Sequence, residues 1–403
     1  MTSRTRSPGT VALAALLLAA ATACTGGSGP VADATAAGAG DGRTGSPAVP
    51  SAAPGGASAP TGFTLVASGD VLPHDSIIRR AAEDAHGTGY DFGPMLSGAR
   101  PVVSRADLAL CHMETAYGKE GGPYTGYPAF ASPPEIAAAL KATGYDSCST
   151  ASNHTLDSGA AGLRRTLDAL DRVGVRHAGS ARTAEEAART TLLTAGGATV
   201  AQLAYTYGTN GRPLPEGQPW AVALLDEGTV IADARAAREA GADVVVVSVH
   251  WGTEWQTEPD RRQLSLARAL TASRSGGRPD VDLIIGTHAH VPQAYEKVNG
   301  TWVIYGMGDQ IAGDMINHEG AHDPRGNQSS IGRFTFAPPR TPGGRWEVTK
   351  AEFLPQWFDT VRGRVVNLGA ADGADAHQIE IRDAIRRAVL SRGADKDGLL
   401  MGK

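Results

Sequence analysis

Five apolar runs in this chain each end at side chains that bind metal ions in proteins, and this recurrence limits the folds that the chain can adopt. A strand buried on both faces reads as an unbroken hydrophobic stretch, which is typical of an α/β sheet. Polar groups at the carboxyl ends of such strands meet in one cleft. The runs are FTLVASGD, ADLALCHME, GYDSCSTASNH, DVVVVSVHWG and VDLIIGTHAH. The pattern predicts an α/β protein with a metal site at the strand ends.

Six side chains at these ends are candidate metal ligands. Oxygen and imidazole donors without cysteine suit Mn, Fe or Zn ions, and two such ions would orient a phosphate or other ester for in-line attack. His288 and His290 give the strongest signal, because an i, i+2 pair on an extended segment projects both rings to one side. The candidate ligands are Asp70, Glu114, Asn153, His250, His288 and His290.

Each signal also has a plainer interpretation when it is taken alone. Gly69-Asp70 is a common turn, Glu114 could be a salt-bridged loop residue, and Asn153 could cap a helix beside an exposed His154. His112 lies two residues before Glu114 and so on the same strand face, which makes it a candidate supporting residue. The position of all these residues after apolar runs favours the metal site.

Composition excludes some partners. The chain has 403 residues, 41% of them hydrophobic, and a net charge of −5 from 37 basic and 42 acidic residues. Nucleic acid binding requires clustered Lys and Arg to neutralise phosphates, and this chain has no such basic field. We therefore expect no nucleic acid partner.

The amino-terminal segment predicts export. Arg4 and Arg6 precede a short apolar stretch, and Ala21-Thr22-Ala23-Cys24 resembles a lipobox. We predict a lipoprotein signal peptide over 1–24, lipid attachment at Cys24, and a protein anchored outside the cytoplasm to the cell membrane. An ordinary secretory signal with an incidental cysteine is the alternative. Residues 25–60 are rich in Gly, Ala, Ser and Pro and predict a disordered tether.

The remaining chain predicts one folded domain over 61–368, followed by a C-terminal helix and tail over 369–403. Helical stretches alternate with the apolar runs, and the Gly- and Pro-rich stretch 207–220 predicts a loop over the cleft. The later segments 301–309, 333–339 and 345–358 predict antiparallel strands of a second sheet. Cys111 and Cys148 lie in consecutive predicted strands and are equally compatible with a disulfide and with two buried thiols.

The order of these motifs resembles the CapA family, which is associated with poly-γ-glutamate capsule synthesis and belongs to the calcineurin-like metallophosphatase superfamily. The resemblance covers roughly residues 63–312. The matching motifs are Gly69-Asp70, His112-Met113-Glu114, Ser152-Asn153-His154 with Asp157-Ser158-Gly159, His250-Trp251-Gly252-Thr253-Glu254, Gly286-Thr287-His288-Ala289-His290-Val291 and Tyr305-Gly306-Met307-Gly308-Asp309.

The resemblance implies a four-layer α-β-β-α sandwich of metallo-dependent phosphatase type. It implies two divalent ions on the six candidate ligands, and His154 as the general acid that protonates a leaving oxygen. Supporting roles around the ions would fall to His112, Asp157, Glu254 and Asp309.

Departures from the family pattern bear on the first ion. The superfamily's Gly-Asp-x-His appears here as Gly69-Asp70-Val71-Leu72, which removes one ligand of that ion. His112, Ser152 and Asp309 each replace an Asn of the pattern.

The resemblance implies a metal-dependent hydrolase acting on an anionic polymer or ester of the envelope, in capsule or poly-γ-glutamate metabolism. The alternative is a non-catalytic subunit that binds or escorts the polymer for a membrane polyglutamate synthase.

Overall fold

The computed structural model describes residues 60–341, 343–369 and 373–403, all within a compact unit of residues 57–403. The predicted signal peptide with Cys24, and the predicted tether except Pro60, lie outside the described residues. Among the described residues, no helix is both long enough and apolar enough to cross a membrane.

The strands form two large sheets and one small ribbon. The strands are β1 (Phe63–Val71), β2 (Leu108–Met113), β3 (Ser147–Ser149), β4 (Arg176–Ala178), β5 (Thr191–Ala195), β6 (Ala198–Thr206), β7 (Val244–His250), β8 (Arg274–Ser275), β9 (Arg278–Pro279), β10 (Leu283–Thr287), β11 (Tyr295–Val298), β12 (Thr301–Ile304), β13 (Asp309–Ile311), β14 (Gln328–Ala337), β15 (Glu347–Asp359), β16 (Arg364–Asn367) and β17 (Leu399–Met401). The first sheet has the order β16-β15-β14-β1-β2-β3-β4, with β13 on β1 and β17 on β15. The second has the order β11-β12-β10-β7-β6-β5.

Helices cover the outer faces of both sheets. The helices are α1 (Asp75–Asp84), α2 (Arg100–Val103), α3 (Ile136–Thr143), α4 (Gly159–Val173), α5 (Ala184–Ala187), α6 (Glu227–Glu239), α7 (Arg261–Ala272) and α8 (Ala376–Leu390). Gly144 and Gly174 end α3 and α4 with φ of 115° and 75°, a conformation that glycine adopts at no steric cost.

Alternation along the strands explains why the runs are apolar throughout. On β7, Val246 packs between the two sheets, whereas Val245 and Val247 pack against α6 and α7. On β1, Leu65 faces the inner core and Val66 faces the helices of the first sheet. Both faces of each sheet are therefore covered, and the predicted α-β-β-α sandwich is confirmed.

One detail of the sequence prediction is wrong. The segments predicted as a separate antiparallel sheet divide between the two sheets instead: β12 pairs parallel with β10, while β14 and β15 extend the first sheet from β1. The sequence pattern of a strand does not reveal which exposed sheet edge it will pair with. The helix α5 is a single turn and buries no side chain in the core.

A disulfide joins Cys111 on β2 to Cys148 on β3, with Cα atoms 4.4 Å apart and a sequence separation of 37. A cross-link that closes a loop of this length removes conformational freedom from the unfolded chain and stabilises the fold by about 4 kcal/mol.

We expect the free energy of unfolding to fall by about 4 kcal/mol when urea titrations are repeated in reductant, with Cys24→Ser present so that only the Cys111–Cys148 pair reacts. Equal unfolding midpoints with and without reductant would contradict this stabilisation.

Candidate metal centre

The candidate ligands come together where the two sheets present the carboxyl ends of their parallel strands. In the first sheet, Asp70 on β1 lies in register with His112 on β2 and with Asp309 on β13. In the second sheet, His250 on β7 lies in register with Thr287 on β10. The two sheets thus supply opposite walls of one buried centre, in which Asp70 and His250 approach to 3.8 Å (Oδ1 to Nδ1).

The carboxylates of this centre lack the partners that buried charges require. Asp70 Oδ2 accepts a hydrogen bond from the His288 backbone N–H at 3.1 Å, but Asp70 Oδ1 and both oxygens of Glu114 have no hydrogen-bond partner among the described residues. Asp70 is 0% and Glu114 1% exposed. Burial is the main reason why the pKa values of both carboxyls are raised well above the usual range. The neighbouring Asp309 charge raises the pKa of Asp70 further, and the neighbouring Asp70 charge raises that of Glu114. An unpaired buried carboxylate is costly, and a bound cation offsets that cost.

His250 lies at the middle of the centre. Its Nδ1 is 3.0 Å from Thr287 Oγ1, and its Nε2 is 2.8 Å from Asn153 Oδ1 and 3.7 Å from Glu114 Oε1. Burial, followed by the neighbouring His288, lowers the pKa of His250 well below its usual value. The neutral imidazole that metal binding needs is therefore favoured.

His288 and His290 occupy a tight turn rather than an extended segment, because β10 ends at Thr287. Their φ angles are 91° and 58°, in the left-handed region that costs a non-glycine residue about 1–3 kcal/mol. The expectation of an extended pair is therefore wrong, although both rings enter the centre with centroids 5.9 Å apart. Backbone strain of this kind is typical of functional sites.

Asp309 has a closer role than sequence reasoning gave it. Its Oδ1 lies 2.9 Å from His290 Nδ1, and this contact raises the pKa of His290 against the opposing effect of burial. Its Oδ2 is buried and has no partner among the described residues. Ligand atoms of Asp70, Glu114, His290 and Asp309 all lie within 4.8 Å of one another.

His154 lies beside the proposed ligands and is held by Asp157. Its Nδ1 is 2.6 Å from Asp157 Oδ2, which also accepts a hydrogen bond from the Phe130 backbone N–H at 2.8 Å. With the carboxylate accepting, Nδ1 carries the proton and Nε2 remains free to donate or accept one. Ser152, which replaces an Asn of the family pattern, donates to the Glu114 backbone carbonyl and so tethers this turn to β2.

The predicted loop over 207–220 reaches the centre, as expected, and contributes residues that the sequence alone did not single out. The Tyr207 ring lies 4.5 Å from that of His288, and burial raises the pKa of Tyr207 to about 12. Asn210 Oδ1 accepts a hydrogen bond from Asn153 Nδ2 at 3.2 Å. Arg212, with 43% of its side chain exposed, donates to Asp157 Oδ1 at 3.2 Å.

The remaining predicted supporting residues, His112 and Glu254, lie at different distances from the side chains of the metal centre. His112 Nε2 lies 3.5 Å from Asp70 Oδ1, its Nδ1 contacts Ser149 Oγ at 2.7 Å, and burial lowers its pKa to about 3. Glu254 lies at the rim, with 41% of its side chain exposed and its Oε1 4.0 Å from His288 Nε2. Leu72, two residues after Asp70, packs in an apolar cluster with Phe130.

The donor set fits divalent metal. Carboxylate oxygens, an amide oxygen and neutral imidazoles suit Mn, Fe or Zn, and several of these donor atoms are buried without a partner among residues 60–341, 343–369 and 373–403. The ligands would be the six candidates of the sequence analysis: Asp70, Glu114, Asn153, His250, His288 and His290.

The layers and this buried cluster define an α/β sandwich protein with a candidate metal centre. The chain belongs to the family described as "Bacterial capsule synthesis protein PGA_cap", whose sequence profile matches residues 64–314.

Part of the chain is similar in sequence to named relatives. This chain is 27% identical over 180 residues to the capsule biosynthesis protein CapA of Bacillus anthracis, and the match covers 44% of this chain and 42% of that protein. This chain is also 27% identical over 178 residues to the PGA biosynthesis protein CapA of Bacillus subtilis, and the match covers 44% of this chain and 45% of that protein. The matched segment thus spans less than half the length of either relative.

Solved structures are similar at lower identity. A putative 5′-nucleotidase from Staphylococcus aureus is 15% identical with a TM-score of 0.43, covering 80% of this chain and 58% of that one. The calcineurin-like phosphoesterase YfkN from Bacillus subtilis is 13% identical with a TM-score of 0.40, and the match covers 81% of this chain and 96% of that one.

Proposed function

We propose that this protein is a metal-dependent hydrolase of phosphoester-type bonds that acts on an anionic polymer or ester of the cell envelope during capsule or poly-γ-glutamate synthesis. The observation that carries the proposal is the set of buried, unpaired carboxylate oxygens of Asp70, Glu114 and Asp309 beside His154. A protein that only kept the fold would gain stability by replacing such groups with apolar ones. The family's association with capsule synthesis supplies the substrate class.

When bound, divalent ions supply a Lewis acid that polarises the ester and neutralises charge developing on it. Side chains of the protein would donate the proton, bind the substrate and limit the access of water. His154, fixed by Asp157, is placed to give a proton to the leaving oxygen. Arg212 reaches the same Asp157 from the solvent side, where its exposed guanidinium can bind an anionic substrate. Tyr207 covers His288 and limits access of water to the centre.

The test combines metal analysis with turnover. Purified protein should contain divalent metal in stoichiometric amount, and Mn-supplemented protein should hydrolyse aryl phosphate mono- or diesters. Chelation should remove both metal and activity, and added Mn should restore them. Stoichiometric metal without turnover on any ester would contradict the hydrolase.

One observation favours a second candidate, a non-catalytic subunit that binds polyglutamate for a membrane synthase. Leu72 stands where phosphatases of the superfamily have a metal-binding histidine, and it is buried among apolar side chains. Polyglutamate binding without ester hydrolysis would support this candidate.

We further propose that the protein is a lipoprotein held outside the cytoplasm through Cys24. The support is the lipobox-like sequence that ends at this cysteine. A single acyl chain binds membranes weakly, so stable anchoring requires the fully lipidated cysteine. Cys24→Ser should therefore move the protein from the membrane fraction to the medium, as measured by immunoblot. Membrane retention of this variant would contradict anchoring at Cys24.

A further inference from the structure

The first metal position of this centre lacks the histidine that the superfamily pattern provides, and the structure shows a different donor beside it. Leu72 is 2% exposed and packs against Phe130, Trp255 and Met315, so no side chain at this position reaches the centre as a ligand. On the neighbouring strand, Asp309 lies in parallel register with Asp70. A carboxylate therefore stands next to Asp70 although the chain lacks the expected histidine.

We propose that Asp309 is itself a ligand of the first ion and replaces the missing histidine. Three observations carry this proposal. Asp309 is 0% exposed, which is costly for a carboxylate unless it has partners. Its Oδ2 has no hydrogen-bond partner among the described residues. Its ligand atom lies within 4.8 Å of those of Asp70, Glu114 and His290.

The two oxygens of Asp309 have separate roles in this arrangement. Oδ1 accepts from His290 Nδ1 at 2.9 Å and fixes the orientation of that ring. Oδ2 is left for the ion. An orienting role alone would need only one oxygen, and the second would then be buried without a partner, which is costly for a charged group. Direct binding accounts for both oxygens.

The exchange of a histidine for an aspartate changes the chemistry of the first position. In the group of ligand atoms that includes Asp309, the side chains of Asp70, Glu114 and Asp309 supply oxygen and His290 supplies an imidazole nitrogen. His250 falls in a group with Asp70 and His112, and His288 falls in a group with Glu254 and His290. Carboxylate-rich sites suit Mn²⁺ and Mg²⁺, whereas imidazole suits Zn²⁺ and Fe. The first position should therefore prefer Mn²⁺ over Zn²⁺ relative to the second.

The experiment compares Mn²⁺ binding of wild-type protein, Asp309→Asn and the control Asp359→Asn. Asp359 is a buried carboxylate at a distant turn, where it caps the backbone N–H groups of Val361 and Arg362. An asparagine at position 309 keeps one side-chain oxygen but has an NH₂ group in place of the other, so it cannot supply both oxygens. We expect two Mn²⁺ per chain and an exchange-coupled electron paramagnetic resonance spectrum for the wild type and Asp359→Asn. For Asp309→Asn we expect one Mn²⁺ and the six-line spectrum of an isolated ion.

Two Mn²⁺ and a coupled spectrum in Asp309→Asn would overturn the proposal, as would a single Mn²⁺ in the wild type. If the variant does not fold, a measurement that needs only the wild-type protein still tests the proposal. Anomalous diffraction from Mn²⁺-soaked crystals should place an ion about 2.2 Å from Asp309 Oδ2, and a nearest ion beyond roughly 3 Å would overturn it. The inference rests on the proposed function only for the presence of bound ions, so two ions without turnover would refute the hydrolase and leave Asp309 as a ligand.

Discussion

Replacing His154 with alanine should lower kcat by about 10²–10⁴-fold while both ions remain bound. A general acid contributes a rate factor of this size by protonating the leaving group in the transition state. We propose His154 for this role, because Asp157 holds its Nδ1 at 2.6 Å and leaves Nε2 for the substrate. The measurement is steady-state turnover of aryl phosphates by Mn-loaded protein, together with metal content.

The leaving group separates general acid catalysis from a structural effect. Esters with weakly acidic leaving groups need the proton more, so His154→Ala should slow phenyl phosphate more than 4-nitrophenyl phosphate. The matched control is His177→Ala, since His177 also lies beside a carboxylate, with Nε2 3.3 Å from Asp171 Oδ1, but away from the centre. Equal losses on both esters, or a similar loss in His177→Ala, would rule out the general acid.

Replacing Glu114 with glutamine should have opposite effects on stability with and without metal. Both carboxylate oxygens of Glu114 are buried without a partner among the described residues, and the pKa of this carboxyl is raised. A raised pKa means that the charged form destabilises the metal-free fold at a pH above the ordinary value near 4.5. In chelator at pH 8, Glu114→Gln should melt about 3–6 °C higher than the wild type, and this gain should vanish near pH 4.5.

In saturating Mn²⁺ the order should reverse. Each ion that binds only the folded state at about 100 times its dissociation constant stabilises the wild type by about 2.7 kcal/mol. Glu114→Gln removes a proposed ligand carboxylate and should lose most of this gain. Differential scanning calorimetry in chelator and in Mn²⁺ provides the measurement.

The control for this reversal is Glu352→Gln. Glu352 is also buried, but Arg333 Nε pairs with its Oε2 at 2.8 Å, so its loss should lower the melting temperature in both conditions. If Glu114→Gln also melted below the wild type in chelator, Glu114 would be a structural carboxylate rather than a metal ligand.

The sequence predicted the parts of this centre that follow from local pattern. Apolar runs on strands covered on both faces placed Asp70 and His250 at strand ends, and the parallel registers brought those ends together. The loop over 207–220 was also predicted, because Gly and Pro interrupt regular structure there. The geometry of the histidine turn was not predicted, since a left-handed conformation such as that of His288 and His290 is uncommon for residues other than glycine.

What the sequence determined by itself is the kind of residue at each strand end and the order in which these residues follow one another, because strands buried on both faces are unbroken hydrophobic runs that can be read directly. Only the tertiary structure decided which of them meet. Asp309 and Asp70 are far apart along the chain, and they become neighbours because the short strand β13 pairs with the open end of β1. Such pairing depends on packing between distant segments, which no local pattern records, so the structure alone could show a second carboxylate where the histidine is missing.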